Sequence, residues 1–264
     1  MERLETAAAN RHGTGLAAAL RRAWRLPLVV LHILAGVLEA LWLRARYPRS
    51  HPAMVMAKQR WYLRLLSLLG VRLRVTGAPA GGAMLLISNH VSWLDIPVIG
   101  ALRPCDMLSK AEVAEWPVIG WLARNVGTLF IRRGRGEVSR KVEEIRERLA
   151  GGRSVLVFPE GTTTDGRAVR RFFPQLLAAA DQAPVQPVAL RYRDHNGDFD
   201  PTLAFIGNDE FHHHLWRLLG RPRVIVDLTF GAPLPADDDP KRLSERARDW
   251  IAERLTRDAG RQTL

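Results

Sequence analysis

The stretch Asn89-His90-Val91-Ser92-Trp93-Leu94-Asp95 sets an imidazole and a carboxylate five positions apart, between the apolar runs 83–87 and 96–102. On a straight helix five residues turn about 140° past a full revolution, so these side chains would face apart. They meet only where the chain bends, as a loop does on entering a helix. A carboxylate that accepts one imidazole N–H fixes the tautomer and leaves the other ring nitrogen as a general base working near neutral pH. The residues also fit a plainer role, because a histidine at a strand end is commonly solvated and Asp95, two before Pro97, suits a helix start.

Two further loops carry groups that could hold a ligand. After the run 154–158 comes Pro159-Glu160-Gly161-Thr162-Thr163-Thr164-Asp165-Gly166. There proline ends a strand, glycine admits unusual dihedrals and the threonines add hydroxyls, while Glu160 could take a hydroxyl hydrogen bond or balance a cation. An ordinary capped turn has the same composition. The segment Gly127-Thr128-Leu129-Phe130-Ile131-Arg132-Arg133-Gly134-Arg135 carries arginines past a strand end. Adjacent strand residues face opposite ways, so only one of Arg132 and Arg133 can line a given pocket. An arginine fork suits a phosphate, and Lys110 could add a second charge. His212, His213 and His214 are consecutive and should diverge, which favours a polar face beside Phe211, Leu215 and Trp216 over a metal site.

The elements that must position these groups follow from pattern. The 264 residues are 47% hydrophobic, which excludes general disorder, and a net charge of +12 favours an anionic partner such as nucleic acid, an acidic membrane or a phosphorylated substrate. The basic residues are dispersed and no recognition motif appears, so nucleic acid is not the expected partner. A single cysteine, Cys105, excludes an internal disulfide framework and reads as a buried, inert thiol. Strand-like runs at 83–87, 106–109, 128–131, 154–158, 185–190 and 224–230 alternate with helical patterns at 97–102, 111–123, 137–149, 172–180 and 241–255. That alternation predicts an α/β domain with a mainly parallel sheet flanked by helices, its functional residues gathered beyond the strands' carboxyl ends. A strand with period two, Val71, Leu73 and Val75, opens the domain.

Ahead of it, the apolar stretch 26–43 is near the lower length limit for a membrane span and has arginines at both ends, so it gives no clear orientation. With the amphipathic segment 55–69 it predicts an N-terminal apolar helical hairpin that docks on a membrane. The expected division is 1–70, membrane-anchoring helices, and 71–264, the α/β domain.

Four segments in order, Asn89–Asp95 (NHVSWLD), GTLFIRR from Gly127, FPEGTTTDG from Phe158 and VQPVAL from Val185, resemble the four motifs of glycerolipid acyltransferases of the lysophosphatidic acid acyltransferase type. The resemblance covers residues 83–190. It implies transfer of a fatty acyl group from an acyl thioester, on coenzyme A or acyl carrier protein as co-substrate and with no cofactor, to the hydroxyl of a lysolipid. The expected site is the cytoplasmic face of the inner membrane. His90 and Asp95 look like its catalytic dyad. Lys110, Gly127, Arg133, Glu160, Gly161, Thr162, Thr163 and Pro187 look like substrate-binding positions, with no metal. An alcohol is too weak an acid to ionise near pH 7, so a base must take its proton as it attacks. Amides at the start of the helix after Ser92 are candidate oxyanion donors. The implied acceptor is 1-acylglycerol-3-phosphate. Thr163, however, stands where many such enzymes have arginine, and the threonine-rich version resembles relatives that acylate lysophospholipids or lyso-ornithine lipids. A thioesterase or a silent membrane scaffold on the same fold is the competing class.

Overall fold

In the computed structural model, which describes residues 15–48, 51–116, 118–125, 127–132, 135–237 and 239–260, the chain begins with α1, Leu16–Arg46. It is 31 residues long, about 46 Å at 1.5 Å per residue. It starts ten residues before the apolar stretch because its first turns carry arginines that the fold uses. Arg21 Nε donates to Gly220 O (2.7 Å), Arg22 Nε to Trp216 O (3.1 Å), and buried Arg25 to Arg221 O (2.6 Å) and Leu219 O (3.3 Å). These carbonyls end α6 (Phe211–Gly220), where a helix has orphan acceptors and the negative end of its dipole.

Helix α2, Pro52–Leu68, starts with proline at its first turn and the His51 ring accepting from Ala53 N. It pairs with α1 through a reciprocal link: Trp61 Nε1 donates to His32 O (3.3 Å), His32 Nε2 lies 3.0 Å from Trp61 O, and the two rings stack at 4.9 Å. Gly36 makes this approach possible, since a Cβ there would lie 2.3 Å from Trp61 Nε1. The two helices therefore pair as the hairpin expectation has it, but their surfaces differ. Tyr62, Leu65 and Leu66 of α2 turn into the core, while Leu20, Leu31, Leu34 and Leu38 of α1 stay exposed. The outward apolar face belongs chiefly to α1.

The sheet has seven strands: β1 Val71–Thr76, β2 Leu85–Ser88, β3 Asp106–Lys110, β4 Leu129–Ile131, β5 Val155–Val157, β6 Val185–Arg193 and β7 Val224–Phe230. Their order is β1-β7-β6-β2-β5-β3-β4, and every pairing is parallel except β6 with β7. Alternate residues serve opposite faces, as the pleat requires. Leu86, Leu190 and Val226 join α2, α6 and α3 (Asp95–Leu102) on one side; Leu85, Ile87 and Val157 join α5 (Arg135–Ala150) and α7 (Pro240–Gly260) on the other.

Several elements depart from the sequence pattern. The helix expected over 111–123 is a 3-10 turn, Ala111–Glu115, followed by α4, Ile119–Asn125, with Val118 at φ 61 between them. A positive φ cannot continue a helix. The run 172–180 forms a 3-10 turn over Pro174–Ala180. On the edge strand β1 only Val71 is buried, and Val75 is exposed. Helix α6, hidden by its polar first turn, was not expected.

Candidate active site

Strand β2 stops at Ser88, and the side chain of Asn89 continues its ladder in place of a peptide. Its Nδ2 donates to Leu190 O (3.0 Å) and its Oδ1 accepts from Leu190 N (2.9 Å), all buried. The backbone is thereby freed to bend, which brings His90 round to Asp95 at the first position of α3. Asp95 Oδ2 lies 2.7 Å from His90 Nδ1 and also accepts from the amides of Val91 (2.8 Å) and Ser92 (3.0 Å). The carboxylate is completely buried, so it is an acceptor that holds Nδ1–H and leaves Nε2 as the ring nitrogen turned away from it. Phe158, just past β5, stacks on the imidazole at 4.0 Å and 13°.

The backbone of His90 is held from both ends. Its amide donates to Glu160 Oε1 (2.8 Å), and its carbonyl accepts from Thr164 N (2.8 Å) and Thr164 Oγ1 (3.3 Å). Glu160 is buried, its second oxygen accepts from Arg170 N (3.0 Å), and burial raises its pKa against the opposing pull of these two amides. Glu160, expected as a substrate-binding position, borders the cleft; one oxygen ties the loop after β5 to the one after β2, and the other closes its own loop at Arg170. Thr163 Oγ1 donates to Phe205 O, and Phe205 N to Val91 O, which adds a third loop to the assembly.

The imidazole lines a cleft of about 1790 Å³, well above the ~300–1,000 Å³ of a usual small-molecule pocket. Val29 and Ile33 of α1, Trp61, Trp93 and Leu215 form apolar walls, and Lys110, Arg132, Arg170 and Arg171 supply positive charge. Gly161, Thr162 and Thr163 also line it. The register that pairs Lys110 with Ile131 sets Lys110 and Arg132 together at the carboxyl ends of β3 and β4. Arg133 lies outside the described residues.

Two expected binding positions prove to be structural. Gly127, at φ 89, does not line the cleft; a Cβ there would lie 2.6 Å from Asp106 Oδ1, and its carbonyl accepts from Arg148, which also pairs with Asp106. Pro187 sits inside β6, where its carbonyl accepts from Gly231 N and its ring approaches Gly231, packed against Trp250 of α7. Its missing N–H lies on the side where β7 has already ended, so proline is tolerated in a central strand. Of the helix-start amides after Ser92 expected as oxyanion donors, three are engaged locally: Leu94 N with Ser92 Oγ, Asp95 N with Ser92 O and Ile96 N with Trp93 O.

Sequence reasoning missed Tyr192, whose hydroxyl donates to Asp95 Oδ1 at 2.6 Å. A signal existed, since Val188, Leu190 and Tyr192 share one face of β6. It also missed the division of the three histidines. His214 is buried, accepts from Trp93 Nε1 (3.0 Å) and lies 3.1 Å from Leu203 O, so it is neutral with its proton on Nε2. Burial holds its pKa down to about 4. His212 and His213 do not diverge; their rings lie 4.1 Å apart beside Glu210, all three exposed, with ligand atoms within 4.8 Å of one another. Buried Cys105, its thiol pushed up to about 12, is inert as expected.

A family model described as Acyltransferase matches residues 72–191. Among curated proteins, the chain is 42% identical over 237 residues to a lyso-ornithine lipid O-acyltransferase of Pseudomonas aeruginosa, covering 88% of this chain and 91% of that protein. It is 32% identical over 213 residues to a 1-acyl-sn-glycerol-3-phosphate acyltransferase of Neisseria gonorrhoeae, covering 79% and 81%. The fold is similar to the crystal structure of a 1-acyl-sn-glycerophosphate acyltransferase from Thermotoga maritima, with a TM-score of 0.71, 19% identity, and 90% and 95% of the two chains covered.

Proposed function

The chain belongs to the acyltransferase family and acts on lysolipid acceptors, and on that premise we propose that it acylates the free hydroxyl of a lyso-ornithine lipid with His90 as general base. The observation that carries the base assignment is the 2.7 Å contact between His90 Nδ1 and buried Asp95 on the wall of a large apolar cleft. Nε2 takes the hydroxyl proton as the oxygen attacks the thioester carbonyl carbon. The C–O bond forms and the carbonyl electrons pass to oxygen. As the carbonyl re-forms, the C–S bond breaks and the sulfur leaves with the electron pair, taking the proton from the imidazolium. A thiol of pKa about 8.5 is a good leaving group, so no second strong acid is required. The apolar walls suit the acyl chains, and coenzyme A or acyl carrier protein presents the thioester.

Two facts favour lyso-ornithine lipid over 1-acylglycerol-3-phosphate. A curated relative with that activity is 42% identical to the chain. At Thr163, where a phosphomonoester would call for a cation, a neutral hydroxyl donates to Phe205 O. Membrane association follows from α1, which is long and apolar enough to cross a bilayer and exposes most of its surface. Its bonds to α6 at one end, α2 in the middle and Asn125 near the other lay it along the body, so we assign it an in-plane position on the cytoplasmic face.

The test is acyl transfer from a labelled acyl thioester to each of the two lysolipids, by the wild-type protein and by His90→Ala. We expect product only with acceptor, higher turnover on lyso-ornithine lipid, and a loss of about 10²–10⁴-fold in the variant. Full turnover by His90→Ala would reject the base. Fatty acid released equally without acceptor would make the protein a thioesterase.

A further inference from the structure

Asp95 receives four hydrogen bonds, and they are not evenly shared. His90 Nδ1 and the amides of Val91 and Ser92 all reach Oδ2, whereas Oδ1 is held by the Tyr192 hydroxyl at 2.6 Å. Tyr192 is 1% exposed and comes from β6, 97 residues away in sequence. Burial and the neighbouring carboxylate hold its pKa well above the ordinary phenol value, so it remains a neutral donor throughout the working pH range. It is not among the residues that line the cleft.

We propose that Tyr192 is a positioning residue that sets the proton affinity of the His90–Asp95 pair. A donor on Oδ1 draws negative charge away from Oδ2, the oxygen that stabilises the imidazolium, and fixes the carboxylate plane against the ring. The titratable groups facing the imidazole are Asp95 from α3 and Glu160 from the loop after β5, with Tyr192 of β6 acting through Asp95. Removing the phenol hydroxyl leaves the other two in place. The inference rests on the reading of His90 as base.

The experiment compares pH profiles of kcat/KM for acyl transfer by wild-type protein, Tyr192→Phe, and protein carrying 3-fluorotyrosine at position 192. The fluorinated ring is near-isosteric and a stronger donor. In Tyr192→Phe the charge returns to Oδ2, the imidazole holds its proton more tightly, and the acidic limb moves about half a unit or more to higher pH. Turnover then falls ~3-fold or more on that limb, with KM for the thioester unchanged. The fluorinated protein should shift the limb the opposite way, and it supplies the answer if Tyr192→Phe does not fold. A purely structural tyrosine would lower the melting temperature and leave the limb where it is. A stationary limb in the folded variants, with His90→Ala inactive, overturns the role of Tyr192 alone. Turnover surviving in His90→Ala overturns the dyad and this inference together.

Discussion

Asn89→Ala is expected to destabilise the protein more than any exposed polar change, for a reason local to the ladder. The wild-type amide makes two buried hydrogen bonds, 3.0 Å to Leu190 O and 2.9 Å from Leu190 N. Alanine removes both and strands a peptide N–H and a peptide C=O in a fully buried strand. A buried backbone group left without a partner costs about 1–3 kcal/mol, so the pair gives about 2–6 kcal/mol. In a chain of this size about 2 °C of melting temperature is lost per kcal/mol, which puts the expected drop at about 4–12 °C. The assay is thermal melting of the detergent-solubilised protein followed by tryptophan fluorescence. Acyl-transfer activity per folded molecule should fall as well, because Asn89 fixes the bend that delivers His90 to Asp95. A melting temperature within about 1 °C of wild type would show that Leu190 finds other partners and that the side chain does not extend the ladder.

Two other outcomes follow from groups away from the dyad. His214 binds a proton less well in the folded protein, at about 4, than its ordinary 6.5, so its contribution to stability is full above pH 6.5 and is lost as pH falls toward 4. His214→Gln should therefore abolish about 3 kcal/mol of acid destabilisation over that range, read from melting curves at stepped pH; an unchanged pH slope would refute it. Replacing Leu31, Leu34 and Leu38, exposed at 60%, 54% and 67%, by serine should leave melting unchanged. Vesicle binding should weaken by about 100-fold if each leucine loses roughly 1 kcal/mol of burial in lipid, and unchanged co-sedimentation would place the contact surface elsewhere.

What could be read in the sequence was what lies close along the chain. His90 and Asp95 are five residues apart at a strand-to-helix junction, and the bend that joins them is signalled by the apolar runs on either side. The alternation of runs likewise gave the α/β class, and β7 was placed to the residue. Partners brought from afar were not legible. Leu190 meets Asn89 across 101 residues and Tyr192 meets Asp95 across 97, and no local pattern encodes such a pairing. Glu160 and Pro187 were recognisable as motif positions, yet their surroundings, two amides for one and Gly231 with Trp250 for the other, depend on which loop or helix packs there. Helix α6 was obscured because its opening histidines face two ways, and only His214 carries the inward period.

The mooring of α1 bears on how lipid would reach His90. A rod fastened at its arginine end, its middle and its far end moves with the body rather than swinging apart from it. On the in-plane placement proposed for α1, the body would rest on a single leaflet, with the exposed flank of that rod among the acyl tails while Val29 and Ile33 border the cleft. A lysolipid can then slide in sideways from the monolayer, gain its second chain and slip back, without its hydrocarbon ever being handed through water.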